Sequence, residues 1–289
     1  MEHIGCVCYN KYLRCSKGED GMKRYHILDE IRGITLCSMI LYHTVWDLVY
    51  LFGYDWNWYR SDFAYLWQQS ICWCFILLSG FCFSMGKKKW RRGLIVFGAG
   101  ALVSLVTHIA MPGQSIRFGV LTMLGSSMLL MALLEKFMRF FLKSRKGEYR
   151  YPVSGMLISF LLFFCTRGIN EQYLGFESIR LYELPVVLYQ KGELMTYIGF
   201  MSEDFYSTDY FSLIPWFFLF STGYFLYYAV KQKGWMEKLS FMKLFPQFVS
   251  DSIFSSGLRF MGKNSLIIYM LHQPVIYVLL SVLDLIPLY

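Results

Sequence analysis

Histidine and aspartate side chains lie within two of the most apolar stretches of this chain. His43 and Asp47 fall in the first stretch, and His272 falls in the last. Ionisable side chains inside a membrane-length apolar segment are costly, so they indicate either a function or a specific partner. Because imidazole titrates near neutral pH, this pattern predicts a general base.

Helical spacing places these groups on one face of the first segment. Arg32 and His43 are eleven residues apart, which is about three helical turns and roughly 16 Å. Asp47 follows His43 by four residues, so the spacing predicts a carboxylate beside the imidazole. The alternative is structural: the His–Asp pair joins two helices, and Arg32 extends toward the lipid headgroups.

The last segment carries a comparable face. Tyr269 precedes His272 by three residues and Ser265 precedes it by seven. These side chains form either an interhelical hydrogen-bond cluster or a second wall of the His43 site. A nucleophilic Ser–His pair is disfavoured, because two helical turns separate Ser265 from His272.

Further candidate residues lie at the ends of apolar segments. Arg117 opens the fourth segment and either contacts a polar acceptor or anchors the helix end. Asp209 and Trp216 flank the start of the sixth. The basic run 87–92, with Lys88 and Arg91, either sets membrane topology or holds the phosphates of a cytosolic cofactor.

Composition predicts an all-α, polytopic membrane protein with about seven transmembrane helices. Of its 289 residues, 56% are hydrophobic and only 17% are charged, whereas soluble domains are nearer a quarter charged. A helical span needs about 20 mostly apolar residues. The stretches that qualify or nearly do so are Gly33–Phe52, Tyr65–Met85, Gly93–Met111, Phe118–Phe141, Pro152–Arg167, Tyr210–Val230 and Gly262–Ile286.

The basic residues predict a cytoplasmic N-terminus. With that orientation, only five of the 28 Lys and Arg residues lie in outside connections: Arg60, Arg117, Arg167, Arg180 and Lys191. The net charge of +8 therefore belongs to the cytoplasmic face and suits anionic lipid or a polyanionic cofactor, not nucleic acid. The polar start of the chain gives no sign of a signal peptide.

We expect a flexible tail over residues 1–22 and a single transmembrane domain over 23–289. Cys6, Cys8 and Cys15 fall in the tail with His3, but their spacing matches no zinc pattern, so no metal site is predicted. Residues 167–209 form a long outside connection of a length that is often functional. Residues 234–261 predict an amphipathic interfacial helix or a re-entrant element.

Several motifs resemble one family. Arg32 followed by His43 resembles the signature of membrane acyltransferases, in which ten residues separate arginine and histidine. Together the motifs resemble the bacterial branch of the heparan-α-glucosaminide N-acetyltransferase catalytic-domain family. They are Leu28–Gly33 with His43, Leu78–Phe81, Phe118–Leu121, Asp209-Tyr210 with Pro215-Trp216, and Gly262–Leu266 with Tyr269, His272, Gln273 and Pro274.

The resemblance implies acetyl transfer from cytosolic acetyl-CoA to an amine or hydroxyl of a sugar or cell-envelope acceptor on the far side of the membrane. It implies no metal. Catalytic roles fall to His43 as base, with Asp47 and His272, and CoA phosphates to Arg32, Lys88 and Arg91. Substrate contacts fall to Arg117, Asp209, Trp216, Asn264, Ser265 and Tyr269, and Tyr269, His272 or Asn264 would donate to the oxyanion.

The polar start of the chain and the distribution of its basic residues suit a bacterial plasma membrane, with membrane lipids as partners. The resemblance adds a sugar or envelope glycan as partner; a homodimer is left open. One departure stands out. The family's eukaryotic enzymes carry asparagine at the position of His43 and a proposed catalytic histidine in the following loop. Here that loop, residues 53–64, has no histidine, so His43 fits the broader acyltransferase signature better.

Two other function classes fit the polar residues. In a transporter or flippase for a polar lipid or small solute, the intramembrane His and Asp would relay protons. In a non-catalytic scaffold, they would only pack helices together.

Overall fold

The computed structural model describes residues 25–141, 149–242, 244 and 253–284. The predicted tail at 1–22, with Cys6, Cys8 and Cys15, lies outside them. In this described part, the α-helices are α1 (His26–Tyr50), α2 (Asp62–Met85), α3 (Lys89–Ala110), α4 (Val120–Phe141), α5 (Pro152–Thr166), α6 (Glu193–Ile198), α7 (Leu213–Gln232), α8 (Trp235–Phe241), α9 (Ile253–Lys263) and α10 (Ser265–Asp284).

Six helices within the described ranges are long and apolar enough to cross a membrane: α2, α3, α4, the α5 segment extended to Glu171, α7 and α10. The 25-residue α1 is also of membrane length. It is not one of the six, because polar residues such as His43 and Asp47 lower its mean hydropathy. The chain is thus an integral membrane protein of the predicted all-α class, and α1 brings the long helices to the predicted seven.

A small non-helical cap follows α5. Strands β1 (Tyr173–Phe176) and β2 (Ile179–Glu183) pair antiparallel, with Phe176 opposite Ile179. Phe176 stacks on Phe164 of α5 with ring centroids 4.3 Å apart. Short 3-10 helices occupy Asn57–Arg60, Pro112–Gln114, Ile169–Glu171 and Val186–Gln190. The long connection is therefore an ordered layer over one end of the bundle, which we call the acidic face after its residues Glu171, Glu177, Glu183 and Glu193.

The main core lies where α2, α4, α5 and α7 meet. Fully buried side chains at its centre include Ile76, Met123, Phe163, Phe220 and Tyr224. Glycines let α2 and α7 approach closely, because a Cβ on Gly80 would lie 2.0 Å from the Phe220 carbonyl oxygen. On the other side of this contact, a Cβ on Gly223 would lie 2.1 Å from the Leu77 oxygen.

The second close contact joins the start of α1 to α9. A Cβ on Gly33 would lie 2.2 Å from the Leu258 oxygen, and one on Gly262 would lie 2.0 Å from the Asp29 oxygen. Glu30, buried beneath α9, accepts hydrogen bonds from Ser255 (2.7 Å) and Arg259 (2.9 Å).

Helix α9 has the two faces of the predicted amphipathic helix. Ser255, Leu258 and Gly262 are buried, whereas Ile253 and Phe260 are exposed. Its inner face covers α1, so this segment is a packed helix and not only a lipid-surface element.

Two helix starts differ from the starts of the predicted apolar stretches. The helix that contains the stretch Gly33–Phe52 begins earlier, at His26, because its charged first turns are held by α9. The last helix begins at Ser265 instead of Gly262, because Gly262 belongs to the end of α9.

Close packing at Gly80 gives a stability prediction. Gly80→Ala should destabilise the fold by about 1–3 kcal/mol, because the added methyl meets a backbone carbonyl that cannot move aside. The matched control is Gly98→Ala on α3, where a Cβ meets nothing within 4 Å. Thermal unfolding of the detergent-purified protein measures both. Equal midpoints for the two variants would contradict the close α2–α7 contact.

Candidate functional site

Two histidines face each other between α1 and α10. The ring centroids of His43 and His272 are 4.9 Å apart, and the Tyr269 ring lies 5.3 Å from that of His272. The structure thus brings together polar residues from the first and last long helices, at the depth their sequence positions indicate. An imidazole pair with a phenol beside it can accept, pass on and return a proton.

The backbone fixes the tautomer of His272. Its Nδ1 lies 2.5 Å from the carbonyl oxygen of Tyr269. A carbonyl only accepts hydrogen bonds, so Nδ1 carries the hydrogen and Nε2 presents a lone pair. This Nε2 is buried and has no hydrogen-bond partner among the described residues.

Asp47 has a different partner from the one predicted. The residue is fully buried, and its Oδ1 accepts a hydrogen bond of 2.7 Å from the Gln273 amide nitrogen. Among the described residues, no hydrogen bond joins Asp47 to His43. The four-residue spacing does place both residues on one helical face. The short aspartate side chain, however, is hydrogen-bonded to the Gln273 amide of α10.

Several buried acceptor atoms of this cluster lack a donor among the described residues. Besides His272 Nε2, the buried Asp47 Oδ2 and Gln273 Oε1 have no hydrogen-bond partner in the described part of the chain. All three atoms accept hydrogen bonds, and buried polar atoms without partners are costly. A hydrogen-bearing group, such as an amine, a hydroxyl or water, is the chemistry that would satisfy them.

Arg32 fastens α1 to α9. One of its nitrogens lies 3.2 Å from Asp29 Oδ1 and 3.3 Å from the Gly262 carbonyl oxygen. The guanidinium sits at the predicted end of the helix, but part of its donor capacity serves the fold.

The basic run at the start of α3 divides into two groups. Lys87, Lys88, Arg91 and Arg92 are exposed. Lys89 instead forms a largely buried ion pair with Glu135 of α4, and its ammonium lies 5.3 Å from the ring centroid of Tyr224. The exposed cations, which include Lys88 and Arg91, can be approached from water, whereas Lys89 stabilises the α3–α4 packing.

A polar cavity of about 150 Å³ lies at the acidic face. Its lining residues are Gln68, Gln69, Cys72, Arg167, Asn170, Thr208, Asp209, Tyr210, Phe211 and Trp216. Arg167 donates to Gln69 Oε1 (3.2 Å) and lies over the Trp216 ring at 4.9 Å. Such a set of amides, charges and one aromatic ring suits a polyhydroxylated ligand.

Helix α2 connects this cavity to the histidine pair. Cys72 lines the cavity. Phe75, about one turn further along α2, packs against Tyr269 with ring centroids 5.7 Å apart. Tyr269 in turn neighbours His272. Asp209 and Trp216 thus share a cavity that borders the site of Tyr269, His272 and His43.

Three predicted substrate residues lie elsewhere. Arg117 pairs with Glu193, and its guanidinium lies 5.0 Å from the Phe205 ring centroid. Asn264 donates to the Phe260 carbonyl oxygen (3.0 Å) at the joint between α9 and α10. Ser265 begins α10, about 10 Å along the helix from His272.

Sequence reasoning missed Gln273, Gln69 and Arg167 as site residues. Gln69 and Gln273 are amides within predicted spans. Because a buried amide needs hydrogen-bond partners, their positions alone indicate a polar site. Arg167 ends an apolar stretch and gave no signal beyond its charge. Among the described residues, no group of three or more His, Cys, Asp or Glu side chains is placed to hold a metal.

One comparison with known proteins decides the family. The family described as heparan-alpha-glucosaminide N-acetyltransferase, catalytic, matches residues 24–274. The chain belongs to this family. This match spans most of the sequence, from the start of α1 to Pro274 in α10, and includes the histidine pair and the polar cavity. No curated protein and no solved structure matches the chain. As a member of the heparan-α-glucosaminide N-acetyltransferase family, the protein is a membrane acetyltransferase.

The Asp47–Gln273 hydrogen bond gives an energetic prediction. Asp47→Leu and Gln273→Leu should each destabilise the protein, because each leaves a buried polar partner unpaired, at a cost of about 1–3 kcal/mol. The double variant should lose less stability than the two single variants together, since both partners are then removed. Unfolding in detergent measures this coupling. Asp47→Leu combined with Gln69→Leu is the control and should be additive; additivity in both cycles would refute the bond.

Asp209 gives a pH prediction. Burial raises the pKa of Asp209 from its usual 3.8 to about 6, although a hydrogen bond from the Val120 N–H opposes this. The folded state therefore holds this proton more tightly than the unfolded state, so the stabilisation is greatest at low pH and is lost as the pH rises through about 6.

Asp209→Asn lacks this titration. Relative to wild type, the variant should gain stability between pH 4 and pH 8, as followed by the thermal unfolding midpoint. The exposed Asp55→Asn, at the same face, is the control and should keep the wild-type pH dependence. An Asp209→Asn curve parallel to wild type at every pH would contradict the raised pKa.

Proposed function

We propose that this acetyltransferase uses cytosolic acetyl-CoA and acetylates an amine or hydroxyl of a sugar or cell-envelope glycan on the other side of a bacterial plasma membrane. The observation that carries the proposal is the His43–His272 pair between α1 and α10. Exposed cations lie at one end of the bundle and a polar cavity lies at the other, with the pair between them.

The donor end fits a polyanion. Exposed Lys88 and Arg91 would bind phosphates by charge-assisted hydrogen bonds. Arg92 lies near them and donates to the Cys82 carbonyl oxygen (3.4 Å), and Cys82 also lies close to Arg32. Positive charge is thus gathered where α1, α2 and α3 share one end. When bound, acetyl-CoA supplies the acyl group as a thioester with an electrophilic carbonyl carbon.

His43 is the proposed base. It takes the proton from the acceptor nitrogen or oxygen as that atom bonds to the acyl carbon, and it returns the proton to the sulfur as the carbon–sulfur bond breaks. General base catalysis of this kind contributes about 10²–10⁴-fold to the rate. His272 presents a lone pair beside His43 and can take over the proton between these steps.

Tyr269 is the proposed donor to the oxyanion. Its hydroxyl can donate a hydrogen bond, whereas His272 Nε2 carries no hydrogen in the tautomer fixed by its backbone contact. Asn264 is bound to the Phe260 carbonyl, away from the histidines, so we do not assign it this role.

The polar cavity is the proposed acceptor site. Amides of Gln68, Gln69 and Asn170 would hydrogen-bond sugar hydroxyls, and Asp209 would accept from a hydroxyl or an amine. The Cys72–Phe75–Tyr269 path connects this cavity to the base.

The test separates binding from chemistry. The full chain in proteoliposomes is given acetyl-CoA labelled in the acetyl group, with D-glucosamine as the probe acceptor. His43→Ala should retain acetyl-CoA binding by calorimetry while transfer falls about 10²–10⁴-fold. The double variant Lys88→Gln/Arg91→Gln should instead weaken binding by about tenfold or more, because two charge-assisted contacts are lost.

The matched control for the cations is Arg180→Gln/Lys191→Gln, at the acidic face, which should bind acetyl-CoA as wild type does. Arg32 is left intact in this test, because its removal would also release Asp29 and the Gly262 carbonyl. If neither wild type nor variants bind acetyl-CoA, the donor assignment fails. Substrate uptake that ignores acetyl-CoA would then favour a transporter.

A further inference from the structure

A second and larger cavity lies at the outer end of α3. We call it the α3 cavity; its volume is about 610 Å³, within the range of about 300–1,000 Å³ of small-molecule sites. It is lined by Ser104, Leu105, His108, Pro112, Ser115, Ile116, Arg117, Asp204 and Tyr206. None of these residues lines the polar cavity.

One side of the α3 cavity faces lipid. Within α3 only Gly93 and Gly100 are buried, and both face α4, where a Cβ would meet Leu129 and Thr122 respectively. The opposite surface of α3 exposes apolar side chains, among them Leu102, Leu105, Val106 and Ile109. Such a helix surface meets acyl chains in a membrane. Leu105 also lines the cavity, so the cavity continues into the lipid-facing surface.

The other side is polar and carries both signs of charge. Arg117 and Asp204 line it together with His108, Ser115 and Tyr206. Arg117 pairs with Glu193, but the two side chains are 39% and 71% exposed, so this pair is weak and can rearrange. A guanidinium has five N–H donors, which allows Arg117 to bind a second anionic group.

We propose that the α3 cavity binds the headgroup of a membrane lipid that carries a phosphate and a primary ammonium. The phosphate would bind Arg117, with Ser115 and His108 beside it, and the ammonium would bind Asp204. The acyl chains would follow Leu105 and the exposed face of α3. Tyr206, 60% exposed, would lie at the membrane surface, as interfacial aromatic residues do.

This site is separate from the acceptor site but adjacent to it along the chain. Asp204 and Tyr206 line the α3 cavity, whereas Thr208 and Asp209 line the polar cavity. Between these two pairs of residues, the Ser207 hydroxyl accepts a hydrogen bond of 2.9 Å from the backbone N–H of Arg117. A lipid bound to Arg117 would therefore also brace the segment that carries Asp209.

The experiment titrates the full detergent-purified chain with short-chain phospholipids and counts bound lipid by native mass spectrometry. Phosphatidylethanolamine should bind about tenfold or more tightly than phosphatidylcholine, because the methyl groups of choline prevent N–H donation to Asp204. Asp204→Asn should remove this preference. Arg117→Gln should weaken both lipids by about tenfold or more.

Glu203→Gln, beside Asp204 in the sequence, and Arg60→Gln, at an exposed position between α1 and α2, are the matched controls outside the cavity and should bind as wild type does. Equal binding of the two lipids by wild type would overturn the proposal. So would free O-phosphoethanolamine binding as tightly as the lipid, which would indicate a soluble ligand. If Arg117→Gln fails to fold, the lipid preference of Asp204→Asn still decides. Acetyl transfer is not a readout, so failure here leaves the proposed function intact.

Discussion

Acidic side chains on α1 must be satisfied inside a bundle that has no bulk water. Their partners come from the C-terminal helices: Gln273 for Asp47, and Ser255 with Arg259 for Glu30. Unpaired polar groups at membrane depth are expensive, so these contacts hold α1, α9 and α10 in a single register. The approach of the His43 and His272 rings follows from that register, since among the described residues no hydrogen bond links either ring to the other helix.

The sequence predicted much of the helical framework, because long apolar runs have few alternatives in a membrane. It could not identify partners. The start of α1 reads as a charged cytosolic flank, although Glu30 is buried against residues about 225 positions later. Lys89 reads as one of several topology-setting cations, but Glu135, the only acid of α4, brings it into the interior.

Periodicity shows which residues share a face, but it does not show what that face meets. His43 and Asp47 do share a face, yet the aspartate is bonded to a glutamine on another helix. The polar cavity was harder still to predict, since its residues come from α2, from the segment that follows α5, from the loop before α7 and from α7 itself. Only the tertiary fold brings these residues together, and nothing in the sequence around their amides indicates a shared site.

In the part of the chain that the structure describes, buried polar groups are paired in one part of the bundle and lack partners in another. Near the histidines, three buried acceptor atoms have no hydrogen-bond partner among the described residues. At Lys89 and Glu135, by contrast, a buried cation and a buried anion neutralise each other. The Lys89 ammonium also lies over two aromatic rings. Polar groups that are paired with each other make a structure rigid, whereas acceptor atoms without a partner remain able to hydrogen-bond a ligand. That contrast separates the supporting part of the bundle from the part suited to chemistry.

The separation of Asp47 and Gln273 along the chain also bears on biosynthesis. Helices α3 and α4 are neighbours in sequence and pack together through Gly93, Gly100 and Gly125, so they can pair as soon as both are inserted. Helix α1 has no such early partner for its carboxylate, because Gln273 is 226 residues away. In a chain that has not yet reached α10, Asp47 would lack its Gln273 partner. The interface between His43 and His272 therefore cannot form before α10 is made, and a chain that ends before α10 would lack it.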